Sequence, residues 1–371
     1  MMRVAYLLTQ DRGGPVDVTV RLAATLIGSG EAEVRVFGPP PARGASLLCG
    51  HHEEISVPRK GDLAAGRRTR AALRAWQPDV VHAQDRRAGL VSTGLRSCAV
   101  VHTYHGVPDD VGEPWFRGIP GAPWPSAYTR AVLTADALVA RKVDRTIAPA
   151  PAMGRFLTDR LRVPVRRLAQ IDNCVDATSV RLPAGPVRHL VFVGLLVARK
   201  GVLDLLTALA MPGVTPSDAR LTVIGDGPQR AEAEQLAAAG PLAGRVEFLG
   251  FRADVPDLLL ACDALVLPSS MEQQPLVVAE AMAAGKPVVA TDTGGVSDMV
   301  GAPRYLAQPG DVPGLADRLR ALFADPDPAD TGRLLAERAQ SRFTPEVCAR
   351  RHLELYQELI DARVGETLRA R

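Results

Sequence analysis

The sequence predicts an α/β protein made of two parallel-sheet domains, and three observations lead there. Short β-branched runs alternate with longer Ala-, Leu- and Arg-rich segments of helical period nearly from end to end, the pattern of strands joined by crossover helices. That alternation halts at 178–188, where Pro183, Gly185 and Pro186 mark a linker, and then restarts. With 371 residues, and roughly 150 per domain, the chain is long enough for two cores.

In the first half, strands are predicted at 3–8, 33–38, 79–83, 99–103, 145–148 and 167–171. In the second they fall at 190–193, 220–224, 245–249, 264–268 and 287–290. The segment 346–360, EVCARRHLELYQELI, has helical spacing and follows the break Phe343-Thr344-Pro345. No short repeat is visible, which argues against solenoids and propellers. The domain limits are set at 1–182 and 187–345.

Composition narrows the function classes. Hydrophobic residues make up 47% and charged residues 23%, which excludes a disordered chain, a collagen and a disulfide scaffold. A formal net charge of +3 is too small to imply nucleic-acid binding. Four of the basic residues are Lys (Lys60, Lys142, Lys200 and Lys286) and the rest are Arg, a skew that fits a GC-rich genome better than a phosphate-binding face. The five cysteines are scattered without a CxxC spacing, so reduced thiols and a cytoplasmic setting are expected. No apolar run approaches the ~18 residues that span a bilayer. Arg67, Arg68, Arg70 and Arg74, on a predicted helix ending at Trp76, offer a contact for acidic lipid at the inner face of the membrane, although a solvated basic face explains them as well.

The most informative stretch is 269–285, SSMEQQPLVVAEAMAAG, which follows the strand ALVLP. Pro275 is expected at the first helical position, so that Leu276 and Val277 present free backbone N–H groups at the positive end of a helix dipole, an anion site. Glu280 lies about 5–6 Å further along the axis, about the distance from a nucleotide's phosphates to its ribose hydroxyls, and a carboxylate suits such a diol. Glu272 sits in the loop facing the same place. Upstream, 191–205, VFVGLLVARKGVLDL, reads as strand, loop and helix, with Lys200 placed to counter a diphosphate and Gly201 allowing close backbone approach.

Together with LTVIGDGPQ and VEFLGFRADVPDLLLACDALVLP, these segments resemble the donor-binding domain of the retaining glycosyltransferases of family four, which have the GT-B fold. DRGGP, PDVVHAQ, VHTYHG and IDNCVD extend the resemblance into the first half. It implies two facing Rossmann-like domains with a cleft between them, an acceptor-binding N-terminal domain, a nucleotide-sugar donor in the C-terminal domain, and a final 346–371 helix crossing back to the first. It implies ribose binding by Glu280, donor-sugar binding by Glu272, diphosphate binding by Lys200, and base contact near Phe251 and Arg252. Gly13 and Gly14 would close near the phosphates, and His105 would lie beside the reacting sugar. UDP is the default base over GDP, and neither a metal nor a cofactor is expected.

Two positions depart from the family pattern. Leu195 stands where a second phosphate-binding Arg is common, so Arg199 substitutes only if its loop directs it inward, and Cys174 replaces the Gly of IPNGVD. The loop with Trp115, Phe116 and Trp124 is read as an acceptor lid because it is too aromatic for a plain connector. Asp325-Pro326-Asp327 mimics a metal-binding Asp-x-Asp, but Pro326 and Pro328 shape a turn there, and His51, His52 and His82 lack ligand spacing. The implied reaction moves a sugar to a small-molecule, glycan or lipid-linked hydroxyl with retention and without metal. The alternatives are a GT-B nucleotide-sugar epimerase and a weakly active nucleotide-sugar-binding protein.

Overall fold

The computed structural model describes residues 1–57, 62–176, 179–301 and 303–369. Two compact units share the chain: residues 1–175 with 345–371, and residues 176–344. Of the expected linker, Thr178 lies outside the described residues, as do residues 370 and 371 of the terminal helix. Residues just after the gap belong with the second unit, where Arg181 N–H donates to Ala284 O at 3.0 Å.

The first unit holds β1 (Met2–Leu7), β2 (Ala32–Gly38), β3 (His52–Glu54), β4 (Val80–Ala83), β5 (Ala99–Thr103), β6 (Arg145–Ala148) and β7 (Leu168–Gln170). They form one sheet in the order β3-β2-β1-β4-β5-β6-β7, with every pairing parallel. The second unit holds β8 (His189–Val193), β9 (Arg220–Ile224), β10 (Val246–Gly250), β11 (Ala264–Leu267), β12 (Val288–Thr291) and β13 (Leu306–Ala307). Its order is β10-β9-β8-β11-β12-β13, again parallel throughout. β3 and β13 are absent from the strand assignment made from sequence. Both are edge strands, three and two residues long, and β3 is the polar HEE, so neither carries a β-branched run to betray it.

Central strands are covered on both faces, and their sequences show it. β4, β11 and β12 are buried at every residue, which is why they read as unbroken apolar runs rather than as alternation. Leu190, Phe192, Val223, Leu205 and Leu319 join strands to helices in one core of the second unit, as Leu7, Phe37, Val81 and Leu73 do in the first. Side-chain caps set helix starts: Asp85 accepts from Ala88 N at 2.9 Å and Ser126 from Thr129 N at 3.2 Å. The terminal helix, Pro345–Arg369, packs within the first unit, where Tyr356 OH lies 3.2 Å from Tyr6 OH on β1 and Arg363 pairs with Asp144 at 3.3 Å.

Candidate active site

In an open parallel sheet, ligands bind beyond the carboxyl ends of the strands, where the strand order reverses. In the second unit that point lies between β8 and β11. Lys200 follows β8 and Glu272 follows β11, and the Lys200 ammonium donates directly to Glu272 Oε1. The pair is mostly shielded, with side chains 18% and 10% exposed. Charges so placed are held by geometry rather than by solvent, and each is costly without the other.

Neighbouring loops fix both residues. Ser270 N–H donates to Arg199 O at 2.8 Å, tying the two loops together, and Glu272 N–H donates to Thr293 Oγ1 at 3.2 Å. Gly201 has φ +71°, and a Cβ there would sit 2.3 Å from Pro268 O. Only glycine lets the two loops approach so closely. Pro275 proves to be the residue before the Leu276–Ala283 helix rather than its first residue. Its carbonyl accepts from Val278 N at 3.1 Å, so Leu276 and Val277 are the leading amides without an intrahelical acceptor, as the sequence reading requires. Glu280 lies in this helix, half-buried, about one turn on.

Other expected donor residues are more dispersed. Leu195 is 61% exposed, and Arg199 is half-buried with its carbonyl engaged by Ser270. Phe251, 76% exposed, and Arg252, ion-paired with Asp254, follow β10, the edge strand two places from β8. Their loop meets the turn after β9 through Gly225 N–H to Gly250 O at 2.8 Å.

The first unit repeats the arrangement. Its order reverses between β1 and β4, and there lies a cavity of about 440 Å³, lined from three loop segments: Gln10 and Pro15 after β1, Gln84 to Arg87 after β4, and His102 to Val107 at the end of β5. Gly13 precedes the Gly14–Ser29 helix, with φ +99°. His105 Nε2 lies 2.9 Å from Gln84 Oε1, so Nε2 carries the proton and Nδ1 keeps a lone pair. Burial, with His102 and His352 nearby, lowers its pKa to about 3, and it is neutral at ordinary pH.

Two models decide the family. "Glycosyltransferase Family 4" matches residues 12–179 and "Glycosyl transferases group 1" matches 187–325, one on each unit. The chain belongs to the family-four glycosyltransferases. Similar proteins include the glycogen synthase of Mycobacterium tuberculosis, 29% identical over 295 residues, spanning 76% of this chain and 69% of that one. The 2-deoxystreptamine glucosyltransferase of Streptomyces kanamyceticus is 38% identical over 164 residues, 43% of this chain and 42% of its own. In fold, this glycosyltransferase matches Anabaena HepE in complex with UDP-glucose with a TM-score of 0.78 at 22% identity, covering 96% of this chain and all of that one, and shares its GT-B architecture.

Some expected site residues of the glycosyltransferase have other duties. Trp115 and Phe116 are 6% and 3% exposed, and both pack on Phe156, Phe116 with stacked rings 4.8 Å apart. Their faces are taken up by the core, which corrects the lid reading for these two. Trp124, 70% exposed, remains open to solvent. Arg70 donates to Val91 O at 2.6 Å and Thr93 O at 3.1 Å, which leaves Arg67, Arg68 and Arg74 as the exposed bases of that helix. Asp325 is buried, pairs with Arg304 at 3.3 Å and accepts from Tyr305 OH, while Asp327 caps the next helix, so this Asp-x-Asp is a turn. Among the described residues no helix is long and apolar enough to cross a membrane.

Sequence reading singled out neither Gln84, Thr103 nor Asp136. Asp136 had a signal: it lies among Leu133, Ala137 and Ala140 on the buried face of the Ala127–Lys142 helix, where a carboxylate needs a partner, and Arg86 Nε supplies one at 2.8 Å.

Four histidines of the first unit, the buried His82, His102 and His352 and the half-buried His105, are held neutral, chiefly by desolvation. Their folded pKa values lie below the ordinary 6.5, at about 3 for His105 and about 4 for His352. Protons therefore bind preferentially to the unfolded chain, and the stability these groups contribute is complete above about pH 6.5 and lost as pH falls toward 4. Full shifts of these sizes are worth on the order of 3–5 kcal/mol each. Urea midpoints measured from pH 7 to 4 should drop steeply below 6.5, and a flat profile would refute the neutral assignment.

Proposed function

We propose that the protein moves a glycosyl group from a nucleoside-diphosphate sugar, with UDP favoured as the nucleoside diphosphate, to a hydroxyl acceptor with retention of configuration and without a metal. The observation that carries this reading is the shielded Lys200–Glu272 pair at the strand-order reversal, beside the leading amides of Leu276 and Val277. Lys200 meets the diphosphate, and the two amides add donors where the leaving charge develops. Glu272 is then released to accept from hydroxyls of the donor sugar, and Glu280 accepts from the ribose diol. In the first unit, His105 and the Gly13–Gly14 turn are assigned to the transferred sugar and the phosphates. The new bond joins the acceptor oxygen to the anomeric carbon on the face that the phosphate leaves, and the departing phosphate oxygen takes the acceptor's proton. The UDP-glucose complex of the similar Anabaena HepE supports a UDP-sugar.

Glu280→Ala tests the ribose assignment. It removes charge-assisted bonds worth about 1.5–3 kcal/mol each, so calorimetric titration with UDP should show binding weakened by at least about tenfold. Unchanged affinity would reject the assignment. EDTA should leave transfer intact, since Lys200 and the amides carry the charge, and a complete loss restored by Mg²⁺ would overturn the metal-free mechanism.

A further inference from the structure

The walls of the first unit's cavity are electrically balanced by the protein itself. Two guanidiniums line it, Arg86 and Arg87. Arg86 Nε donates to Asp136 Oδ2 at 2.8 Å, its Nη2 donates to Gly106 O, and its guanidinium lies 5.5 Å from the Tyr104 ring centre. Tyr104 OH donates to the same Asp136 oxygen at 2.7 Å, and Asp136 is 5% exposed. Arg87 donates to Val57 O at 3.0 Å and to Thr9 O at 2.9 Å. Asp85, the other carboxylate, accepts from Thr9 N and Thr9 Oγ1, both at 2.6 Å, and from Ala88 N. An anion site turns N–H groups toward the ligand, whereas these guanidiniums are turned toward carbonyls and a buried carboxylate.

What remains for a ligand is neutral and mixed in hydrogen-bonding character. Gln84 has its Oε1 held by His105, which leaves its amide N–H groups to donate. Thr103 Oγ1 lies 2.7 Å from His82 Nε2, and His82 Nδ1 lies 2.6 Å from Tyr356 OH, so a buried chain reaching the terminal helix orients this hydroxyl. His102 is 2% exposed and its Nδ1 has no partner among the described residues, a buried polar atom that calls for one. A phosphate or carboxylate oxygen only accepts, so it answers the donors of such a lining but not its lone pairs, while a hydroxyl both donates and accepts and answers both.

We propose that this cavity seats an uncharged, polyhydroxylated acceptor, a sugar or cyclitol without phosphate or carboxylate. The inference rests on the transfer reading above and adds the acceptor's chemical class. Asp136 is the specificity-determining residue, because it cancels the charge of Arg86.

The test uses the full chain, a UDP-sugar donor, and acceptor pairs that differ only in a phosphate: glucose with glucose 6-phosphate, and inositol with inositol phosphate. Release of UDP is followed. The neutral member of each pair should show a kcat/KM higher by at least about tenfold, and Asp136→Asn, by freeing the Arg86 charge, should shift that ratio at least about fivefold toward the phosphorylated member. A residue with only a structural role would lower both acceptors in proportion. Preference of the unaltered enzyme for the phosphorylated acceptors overturns the inference, and so does an Asp136→Asn ratio that stays constant. UDP binding measured calorimetrically on the same preparation separates the two readings: absence of binding condemns the transfer reading, whereas binding with phosphate preference condemns only the acceptor class.

Discussion

Lys200→Ala is expected to lower turnover by about two to three orders of magnitude, the usual cost of removing an electrostatic donor aimed at a developing charge. Among the described residues the ammonium's partner is the carboxylate of Glu272, so the same change also strands a carboxylate that is 10% exposed. Loss of one member of a shielded pair typically costs about 3–5 kcal/mol, so Lys200→Ala alone confounds catalysis with stability. A double substitution separates them. Glu272→Gln added to Lys200→Ala removes the stranded charge and should restore most of the melting temperature, yet leave turnover as low as before or lower. Steady-state release of UDP together with thermal melts of the parent, Lys200→Ala and the double variant reads both quantities. Activity of Lys200→Ala within a factor of about three of the parent would place the phosphate site elsewhere, whatever the melts show.

The parts of this site that were legible in the sequence are those written in chain-local chemistry. Lys200-Gly201 after a strand, and a Pro before an apolar helix with Glu272 and Glu280 on either side, are features of adjacent residues, and the parallel strands announced themselves because burial on both faces demands apolar runs. What could not be read was assembly across distance. The ion pair joins positions 72 residues apart, and the Tyr356–His82 bond spans 274. Aromatic richness around Trp115 misled for a related reason: an exposed lid and a core cluster have the same composition, and only Phe156, far along the chain, decides that Trp115 and Phe116 are packed. Likewise, β3 and β13 owe their existence to the strands they pair with rather than to their own residues.

Gly294→Ala should be among the most damaging single substitutions in the second unit, although glycine has no side chain to offer a ligand. Its φ is +53°, and a Cβ built on it would lie 1.7 Å from Glu272 O and 2.6 Å from the carbonyl carbon, well inside ordinary contact. Both atoms are backbone, so no rotamer relieves the clash. The loop is also clamped from either side, by Glu272 N–H on Thr293 Oγ1 at 3.2 Å and by Gly295 N–H on Gln273 O at 2.7 Å. Alanine must therefore push the 269–275 loop outward, carrying Glu272 away from Lys200 and dislodging the turn before Leu276. UDP affinity should fall by at least about a hundredfold, since misplacement of about 1 Å in a positioned group already has effects of that order. A control isolates the cause. Gly310 also has positive φ, +78°, with no atom within 4 Å of a built Cβ. Gly310→Ala thus bears the backbone strain alone, about 1–2 kcal/mol, without the collision. Calorimetry with UDP and melting curves should show Gly310→Ala modestly destabilised with donor affinity intact, and Gly294→Ala deficient in both. Equal behaviour of the two variants would mean that left-handed strain, rather than contact with the Glu272 carbonyl, is what this glycine is there to avoid.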